Sequence, residues 1–375
     1  MSSEDTTSTP APTGSPAGSA PGAPAEITVE PRSAAPGPDL VRALEELART
    51  AEEADGNPPF SEQTLIELEK AGAAGADGSP LRLAVAWAWP AGEGGPETTG
   101  EPADEAADEG AEDASAGPLL AGAGVVVRGD AETPDVLEMV VRPNCRQHGV
   151  GGRLADTLAA DALAPAAGRT RRAWAHGEHE AAVRLASRFA WRPVRELWRM
   201  RLTAPQEITV PDAPAGVQIR AFEPGRDEEV WLRVNAAAFA DHPEQGRLTR
   251  EDLEARMAED WFDPAGFLLA EEDGRLLGFH WTKVHPADPS EGRHEPVGEV
   301  YVVGVAPEAR GRGLGRVLTL AGIEHLRSRG LGAIMLYTDA DNTPAVQLYT
   351  ALGFARWDVD TMYAPAGDAD GDVSS

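Results

Sequence analysis

Cysteine is almost absent from this chain. Cys145 is the only thiol among 375 residues, so no intramolecular disulfide framework can form, and the composition fits a reducing, cytoplasmic setting. Bases are also scarce: 33 lysines and arginines against 62 aspartates and glutamates leave a net charge of −29. That excess of anionic groups argues against nucleic acid or an anionic membrane as partner. No apolar run approaches a membrane span, and the opening M-S-S-E-D-T-T-S lacks the basic and apolar regions of a signal peptide. No metal-ligand cluster stands out. His280 and His285 flank Trp281-Thr282-Lys283 without zinc spacing on a helix, and they read as polar strand-end positions.

What remains is enough for two domains of ordinary size, with 42% hydrophobic residues to build cores. Residues 1–25 are almost all Ser, Thr, Pro, Ala and Gly and predict a disordered tail. A first strand at 27–29 precedes an amphipathic helix over 39–54, with Leu40, Val41, Leu44, Leu47 and Ala48 on one side. Asn57-Pro58-Pro59 breaks it, and Ser61-Glu62-Gln63 caps a second helix through Leu65, Leu68 and Ala71. Strands are expected over 81–89, 119–127 and 136–141. Between the first two, residues 91–117 carry acids from Glu93 to Asp113, no base and almost nothing to bury, which predicts a disordered insertion. A specific acidic interaction segment is the alternative. A proline-rich linker occupies 203–216, and a strand over 358–363 precedes a polar tail, 365–375.

The densest stretch is 298–316, G-E-V-Y-V-V-G-V-A-P-E-A-R-G-R-G-L-G-R. Its β-branched run has strand composition, Pro307 ends it, and a helical pattern follows through Leu314, Val317, Leu318, Ala321 and Leu326. Between them lies the turn Arg310-Gly311-Arg312-Gly313-Leu314-Gly315. Glycines admit a ligand close to the backbone, the unpaired first amides of a helix favour an anion, and arginines add charge-assisted bonds. The combination predicts a pyrophosphate cradle. No Lys-Ser or Lys-Thr closes it as in a triphosphate P-loop, and R-x-x-G-x-G is not the dinucleotide G-x-G-x-x-G.

The stretch has a copy. Val141-Arg142-Pro143 through Arg146-Gln147-His148-Gly149-Val150-Gly151 repeats its spacing, and each copy leads into a helix and then an Ala-rich helix ending near an aromatic, over 181–191 and 343–354. The first half is longer by about the length of 91–117, and the equivalent place in the second half is the hairpin signal Glu271-Glu272-Asp273-Gly274. The acidic segment therefore inflates a hairpin loop, where insertions are tolerated. The halves differ beside the loop. Asp135 stands where the second half has Glu299, His179 where it has Asn342, and Ala186 where it has Tyr349.

These residues suit acyl transfer to an amine. An α-amine with a pKa of about 8 is mostly protonated at neutral pH and needs a base, and a departing thiolate benefits from an acid. Glu299 can take a proton, through water, and Tyr349 can donate one. Two plainer roles stay open: a solvated strand-end carboxylate and a packing phenol. A cysteine acyl-enzyme is disfavoured because Cys145 lies in the half without the phenol, so direct attack in a ternary complex is expected.

The pattern V-x-P-x-x-R-G-x-G-x-G, with N-x-x-A-x-x-L-Y-x-x-x-G-F over 342–354, resembles the GNAT acetyltransferase superfamily. The segments N-A-A-F-A-D-H-P-E-Q-G (235–246), G-F-H-W-T-K-V-H (278–285), G-E-V-Y-V-V-G-V (298–305) and L-Y-T-D-A-D-N (336–342) are together similar to the actinobacterial mycothiol acetyltransferase (mycothiol synthase) family. The resemblance covers most of 27–364, more densely in the second half. It implies an α/β (α+β) fold of two tandem GNAT domains, each a mixed central sheet flanked by helices, over 26–202 and 217–364, the first non-catalytic. It implies acetyl-CoA as co-substrate, no metal, and transfer of acetyl to the cysteinyl amine of cysteinyl-glucosaminyl-inositol. Implied substrate contacts are Glu62, Glu244, Lys283, Glu299 and Tyr337. Implied acetyl-CoA contacts in the second half are Val303, Gly304 and Val305, then Arg310, Gly311, Arg312, Gly313, Leu314, Gly315 and Arg316, then Asn342, Thr343, Pro344, Ala345, Val346 and Gln347. Their first-half counterparts are Met139, Val140 and Val141 with Arg146, Gln147, His148, Gly149, Val150 and Gly151, where the basic Gly-rich loop is diluted. A monomer is expected, since tandem halves can supply each other's interface. Another amine acceptor (an aminoglycoside, a polyamine or a protein N-terminus) and a non-enzymatic acetyl-CoA sensor are the competing readings.

Overall fold

Local sequence sets the elements. The run Leu81–Trp89 forms a strand over its whole length, as does Leu119–Val127. The amphipathic helix spans Pro38–Asp55, starting with proline in its first turn and ending on Gly56 in the left-handed conformation, with Val41, Leu44, Leu47, Ala48 and Ala51 buried. The computed structural model describes residues 26–32, 35–74, 80–89, 118–130, 133–160, 169–203, 209–240, 243–287 and 295–367. The expected tail 1–25, the acidic insertion 91–117, part of the linker and His242 lie outside the described residues.

In chain order the first half contains β1 (Glu26–Arg32), α1 (Pro38–Asp55), α2 (Glu62–Ala74), β2 (Leu81–Trp89), β3 (Leu119–Val127), β4 (Asp135–Val141), α3 (Val150–Ala160), β5 (Arg171–Ala175), α4 (Glu180–Arg188) and β6 (Trp191–Leu202). The second contains β7 (Gln218–Ala221), α5 (Glu228–Ala238), α6 (Pro243–Gly246), α7 (Arg250–Met257), β8 (Phe267–Glu272), β9 (Arg275–His285), β10 (Val297–Val305), α8 (Leu314–Ser328), β11 (Ala333–Asp339), α9 (Thr343–Ala351) and β12 (Ala355–Pro365). Adding six to each first-half strand number gives its second-half counterpart.

The strands form one sheet in the order β1-β2-β3-β4-β5-β12-β6-β11-β10-β9-β8-β7. The two halves expected from the sequence are thus joined edge to edge, and their last strands are exchanged. β6, from the first half, pairs antiparallel with β11, and β12, from the second, pairs antiparallel with β5. The exchanged strands also pair with each other along most of their length. The swap is fixed by packing: Met200 and Leu202 of β6 are buried in a core with Val300, Ile323, Leu326, Ile334, Leu336, Tyr349 and Phe354 of the second half.

Both faces of the sheet are covered. In the first half α1, α2 and Phe60 of their connector pack on one face, the helices through Leu44, Leu47 and Leu68, and α3 packs through Val150, Leu154 and Leu158 on the other. Gly124 of β3 makes room for that contact, because a Cβ there would lie 2.4 Å from Leu158 Cδ1. In the second half one face carries an aromatic cluster in which Trp231 meets Phe267, Phe279 and Trp281 edge-on, and Phe267 stacks on Trp281 at 4.4 Å. The opposite face carries α8 and α9.

Candidate active site

β10 and β11 run parallel and pair only from Val297 and Ala333 to Val300 and Leu336, although β10 continues to Val305 and β11 to Asp339. Beyond that point they splay, leaving a cleft edged by the backbone of β10. A β-bulge sharpens the opening. The β9–β10 register skips Tyr301, so Tyr301 and Val302 both pack on the aromatic cluster. In the first half β3 and β4 pair from Gly122–Val141 to Val127–Val136 without a break.

Glu299 sits just before the bulge, in register with Lys283 on β9 and Met335 on β11. It is buried, and its Oε2 lies 2.6 Å from His285 Nε2. His285 lies two residues beyond Lys283, on the same face of β9. The Lys283 ammonium lies 4.6 Å from the Trp261 ring centroid and 5.2 Å from that of Tyr301, a cation–π seat. It is also 3.8 Å from Oε1 of Glu62, which begins α2 in the first half. Arg256 Nε donates to the Tyr301 hydroxyl at 3.1 Å. Burial pushes that hydroxyl up to about 12, with the Glu62 charge adding and Arg256 opposing. Tyr337, two residues past Met335, shares this face. It stands opposite Arg199 of the exchanged strand β6, whose guanidinium is 5.6 Å from its ring centroid. Burial raises the Tyr337 hydroxyl above its ordinary value. Four of the expected substrate residues, Glu62, Lys283, Glu299 and Tyr337, therefore come to one face from both halves. Glu244 lies in α6, where Gln245 anchors the turn: the Asn235 amide donates to the Gln245 carbonyl at 2.6 Å, and the Gln245 amide donates back to Asn235 Oδ1 at 2.9 Å.

The expected pyrophosphate loop follows β10. A 3-10 turn, Pro307–Ala309, leads to Gly311 and Gly313, both with φ near +80°, and Gly313 caps α8. No atom lies within 4 Å of a Cβ placed on either glycine, so the loop surface is open to a ligand. The first amides of α8 have no partner inside their helix. The arginines brace the loop: Arg310 donates to the Ala238 carbonyl at 3.0 Å, and Arg312 grips Glu272 with both terminal guanidinium nitrogens. Val303, Gly304 and Val305 form the cleft edge leading to the loop. Asn342 caps α9, accepting from the Ala345 amide at 3.3 Å, so residues 342–347 form the first turn of that helix.

Tyr349, on α9, is buried in the α8-face core with Val300, Ile334 and Leu336, on the side of the sheet opposite Glu299. Its ring meets Phe354 edge-on at 5.8 Å, and its hydroxyl has no hydrogen-bond partner among the described residues. Burial pushes it up to about 12.

The first-half copy keeps the loop's backbone and differs in its side chains. Gln147 and Gly149 adopt the left-handed conformation of Gly311 and Gly313, at φ 65 and 78°. Arg146 is held in a bidentate pair with Asp55, both bonds 2.6 Å, and His148 Nδ1 donates to the Arg146 carbonyl. Asp135, which matches Glu299 in spacing from the loop but lies one position off it in strand register because β4 has no bulge, is buried between Arg128 and Arg169. Burial alone would raise its pKa, but hydrogen bonds from the two arginines outweigh that and hold it low. A cavity of about 750 Å³ opens in this half, walled by Met139, Val141, the 146–152 loop, Leu185, Ala186 and Phe189. Ala186 leaves open the space that a phenol would fill. Cys145 is buried in the loop, and burial pushes its thiol up, which makes it a poor nucleophile.

His280 is not the strand-end residue expected from sequence. It is wholly buried mid-strand, its Nδ1 donates to the Leu318 carbonyl at 2.7 Å, and burial pushes its pKa down to about 4. Gly322 makes room for it, since a Cβ there would fall 2.0 Å from His280 Cε1. Sequence reasoning missed the contact of His285 with Glu299 and the supporting roles of Trp261, Tyr301 and Arg256. The recurrence of polar residues at Lys283 and His285 on one strand face was the available signal. No group of three or more His, Cys, Asp or Glu could hold a metal among the described residues.

The comparisons agree with this geometry. The Acetyltransferase (GNAT) family matches residues 231–354. A mycothiol acetyltransferase of Arthrobacter sp. (strain FB24) is 52% identical over 87% of this chain and 93% of its own length. Those of Thermobispora bispora and Kocuria rhizophila are 48% and 44% identical over 84% and 90% of this chain, and 93% and 99% of their own lengths. In fold the chain is similar to a GCN5-related N-acetyltransferase from Sphaerobacter thermophilus (TM-score 0.60, 24% identity, 92% of this chain and 96% of that one). It is also similar to a tandem GNAT protein from the clavulanic acid biosynthesis pathway (TM-score 0.60, 18% identity, 90% and 98%). Relatives this similar over most of both chains show the family: the chain belongs to the mycothiol acetyltransferase family of GNAT N-acetyltransferases.

Proposed function

We propose that the second half transfers acetyl from acetyl-CoA to the cysteinyl amine of cysteinyl-glucosaminyl-inositol, the last step of mycothiol formation. The observation that carries this reading is the face where Glu299 lies buried beside the bulge while Glu62 and Lys283 meet across the two halves. Carboxylates suit an ammonium and sugar hydroxyls, and Lys283 and Tyr337 suit hydroxyls or a carbonyl.

The loop 310–316 and the first turn of α9 hold acetyl-CoA, with its thioester along β10 between the splayed strands. Glu299 removes a proton from the acceptor ammonium, through water. The free amine attacks the thioester carbonyl carbon, a C–N bond forms, the C–S bond breaks, Tyr349 protonates the departing sulfur, and the surplus proton on the acylated nitrogen returns through water to the Tyr349 phenolate, leaving a neutral amide. No acyl-enzyme is required.

The chain divides in this reading into a non-catalytic domain, 26–202, and a catalytic one, 217–364. The first binds CoA along 139–141 and 146–151 without transferring the acyl group. Its bound Asp135 and its alanine at position 186 support that role. The protein acts as a cytoplasmic monomer on small molecules. No described helix is long and apolar enough to cross a membrane.

The test is to supply acetyl-CoA with the cysteinyl-glucosaminyl-inositol amine and follow free CoA. Release that depends on this acceptor is expected. Turnover with a polyamine or peptide but not with this amine would sink the reading.

A further inference from the structure

The first half contains a buried ionic cluster that the transfer chemistry does not use. Glu138 on β4 is 1% exposed and Asp360 on β12 is 5% exposed. His176, just past β5, stands between them, with Nε2 2.9 Å from Glu138 Oε1 and Nδ1 3.2 Å from Asp360 Oδ2. The second oxygen of each carboxylate is also engaged. The Gly177 amide donates to Asp360 Oδ1 at 2.9 Å. The Ser61 amide and hydroxyl donate to Glu138 Oε2 at 2.9 and 3.2 Å.

Ser61 caps α2, and the next residue is Glu62, whose carboxylate meets Lys283. The contacts therefore start on a second-half strand, cross the first half, and return to the second half's acceptor face. A second strap runs beside them: Asn57, at the start of the same connector, donates to Asp358, two residues before Asp360. The connector between α1 and α2 is thus tied at both ends to the exchanged strand. Burying three ionisable groups to hold one helix start is costly unless each is satisfied, and here every carboxylate oxygen has a partner.

We propose that Asp360, His176 and Glu138 are positioning residues that set Glu62 against the acceptor, so that the degenerate half aligns the acceptor for the catalytic one. This rests on the reading of Glu62 as an acceptor contact. A residue held in place through a rigid shell affects acceptor binding without touching the reacting atoms.

Initial rates for Glu138→Gln, His176→Gln and Glu62→Gln, alone and in pairs with Glu62→Gln, test the relay. Each single change is expected to raise the acceptor KM roughly three- to thirtyfold. In Glu138→Gln and His176→Gln, kcat and the acetyl-CoA KM should stay within about twofold. The paired variants should be no worse than Glu62→Gln alone. An unchanged acceptor KM in Glu62→Gln overturns the reading of Glu62 and the relay with it. A raised KM in Glu62→Gln, with additive or absent effects from Glu138 and His176, overturns the relay alone. If Glu138→Gln fails to fold, Asp360→Asn, isosteric and at the far end of the chain of contacts, faces the same two outcomes.

Discussion

A phenol pushed up to about 12 by burial is protonated at neutral pH, so Tyr349 carries a proton and cannot serve as the base. Phenylalanine at this position keeps the edge-on contact with Phe354 and removes only the hydroxyl. Tyr349→Phe should therefore lower kcat by roughly ten- to a thousandfold, with the thermal midpoint unchanged. An unaltered rate would return Tyr349 to packing. His176 makes the opposite kind of prediction, about stability. Burial alone would push it down, but its hydrogen bonds to Asp360 and Glu138, with their charges, push it up to about 9. A folded-state value above the unfolded one of about 6.5 means that the stabilisation is complete below that pH and is lost as pH rises through 9. Urea midpoints should fall from pH 7 to 10 more steeply in the native protein than in His176→Gln. Parallel curves would show that the imidazolium does not hold the cluster.

At the scale of elements, the turn between β2 and β3 and its counterpart between β8 and β9 separate what a hairpin needs from what it tolerates. The second is a two-residue loop, Asp273-Gly274, with φ of 50 and 77°, which matches the twist of its strands. The first carries the acidic segment 91–117, yet β2 and β3 still pair from Leu81–Val127 to Ala88–Leu119. Replacing 91–117 by a two-residue turn should leave kcat and both KM values intact. A large loss would show that the segment does more than connect. The strands themselves were legible, because 81–89 and 119–127 are apolar runs between prolines or acidic sequence. The loop was legible in both copies, through spacing alone. The bulge at Tyr301 was not, since V-Y-V-V is apolar throughout and offers no break in alternation. The contact of His285 with Glu299 was hidden for a related reason: it depends on the register between two strands, which neither strand's own sequence states.

For the whole molecule, the exchange of β6 and β12 decides what counts as a folding unit. Each half lacks the strand that completes its sheet, and Met200 and Leu202 leave the first half to fill the core of the second. Produced separately, 1–202 and 203–375 should each lack a cooperative unfolding transition. Mixed or co-expressed, they should recover it together with acetyl transfer. Cooperative melting of either piece alone would show that the exchange is dispensable. The sequence could not announce this, because the two final strands, 191–202 and 355–365, carry similar patterns, and nothing local tells which neighbour each will choose.

The exchange also bears on the order in which the protein is made. β12 belongs between β5 and β6, yet it is the last strand to be synthesised. Until residues 355–365 emerge, the edge of β5 lacks the strand that the finished fold gives it, and the strand already translated that could lie there, β6, is the one that belongs beside β11. Such a nascent chain offers an open strand template at its middle rather than at its end, for as long as the second half takes to translate. A pause in synthesis after β11 would therefore endanger the half that was finished first.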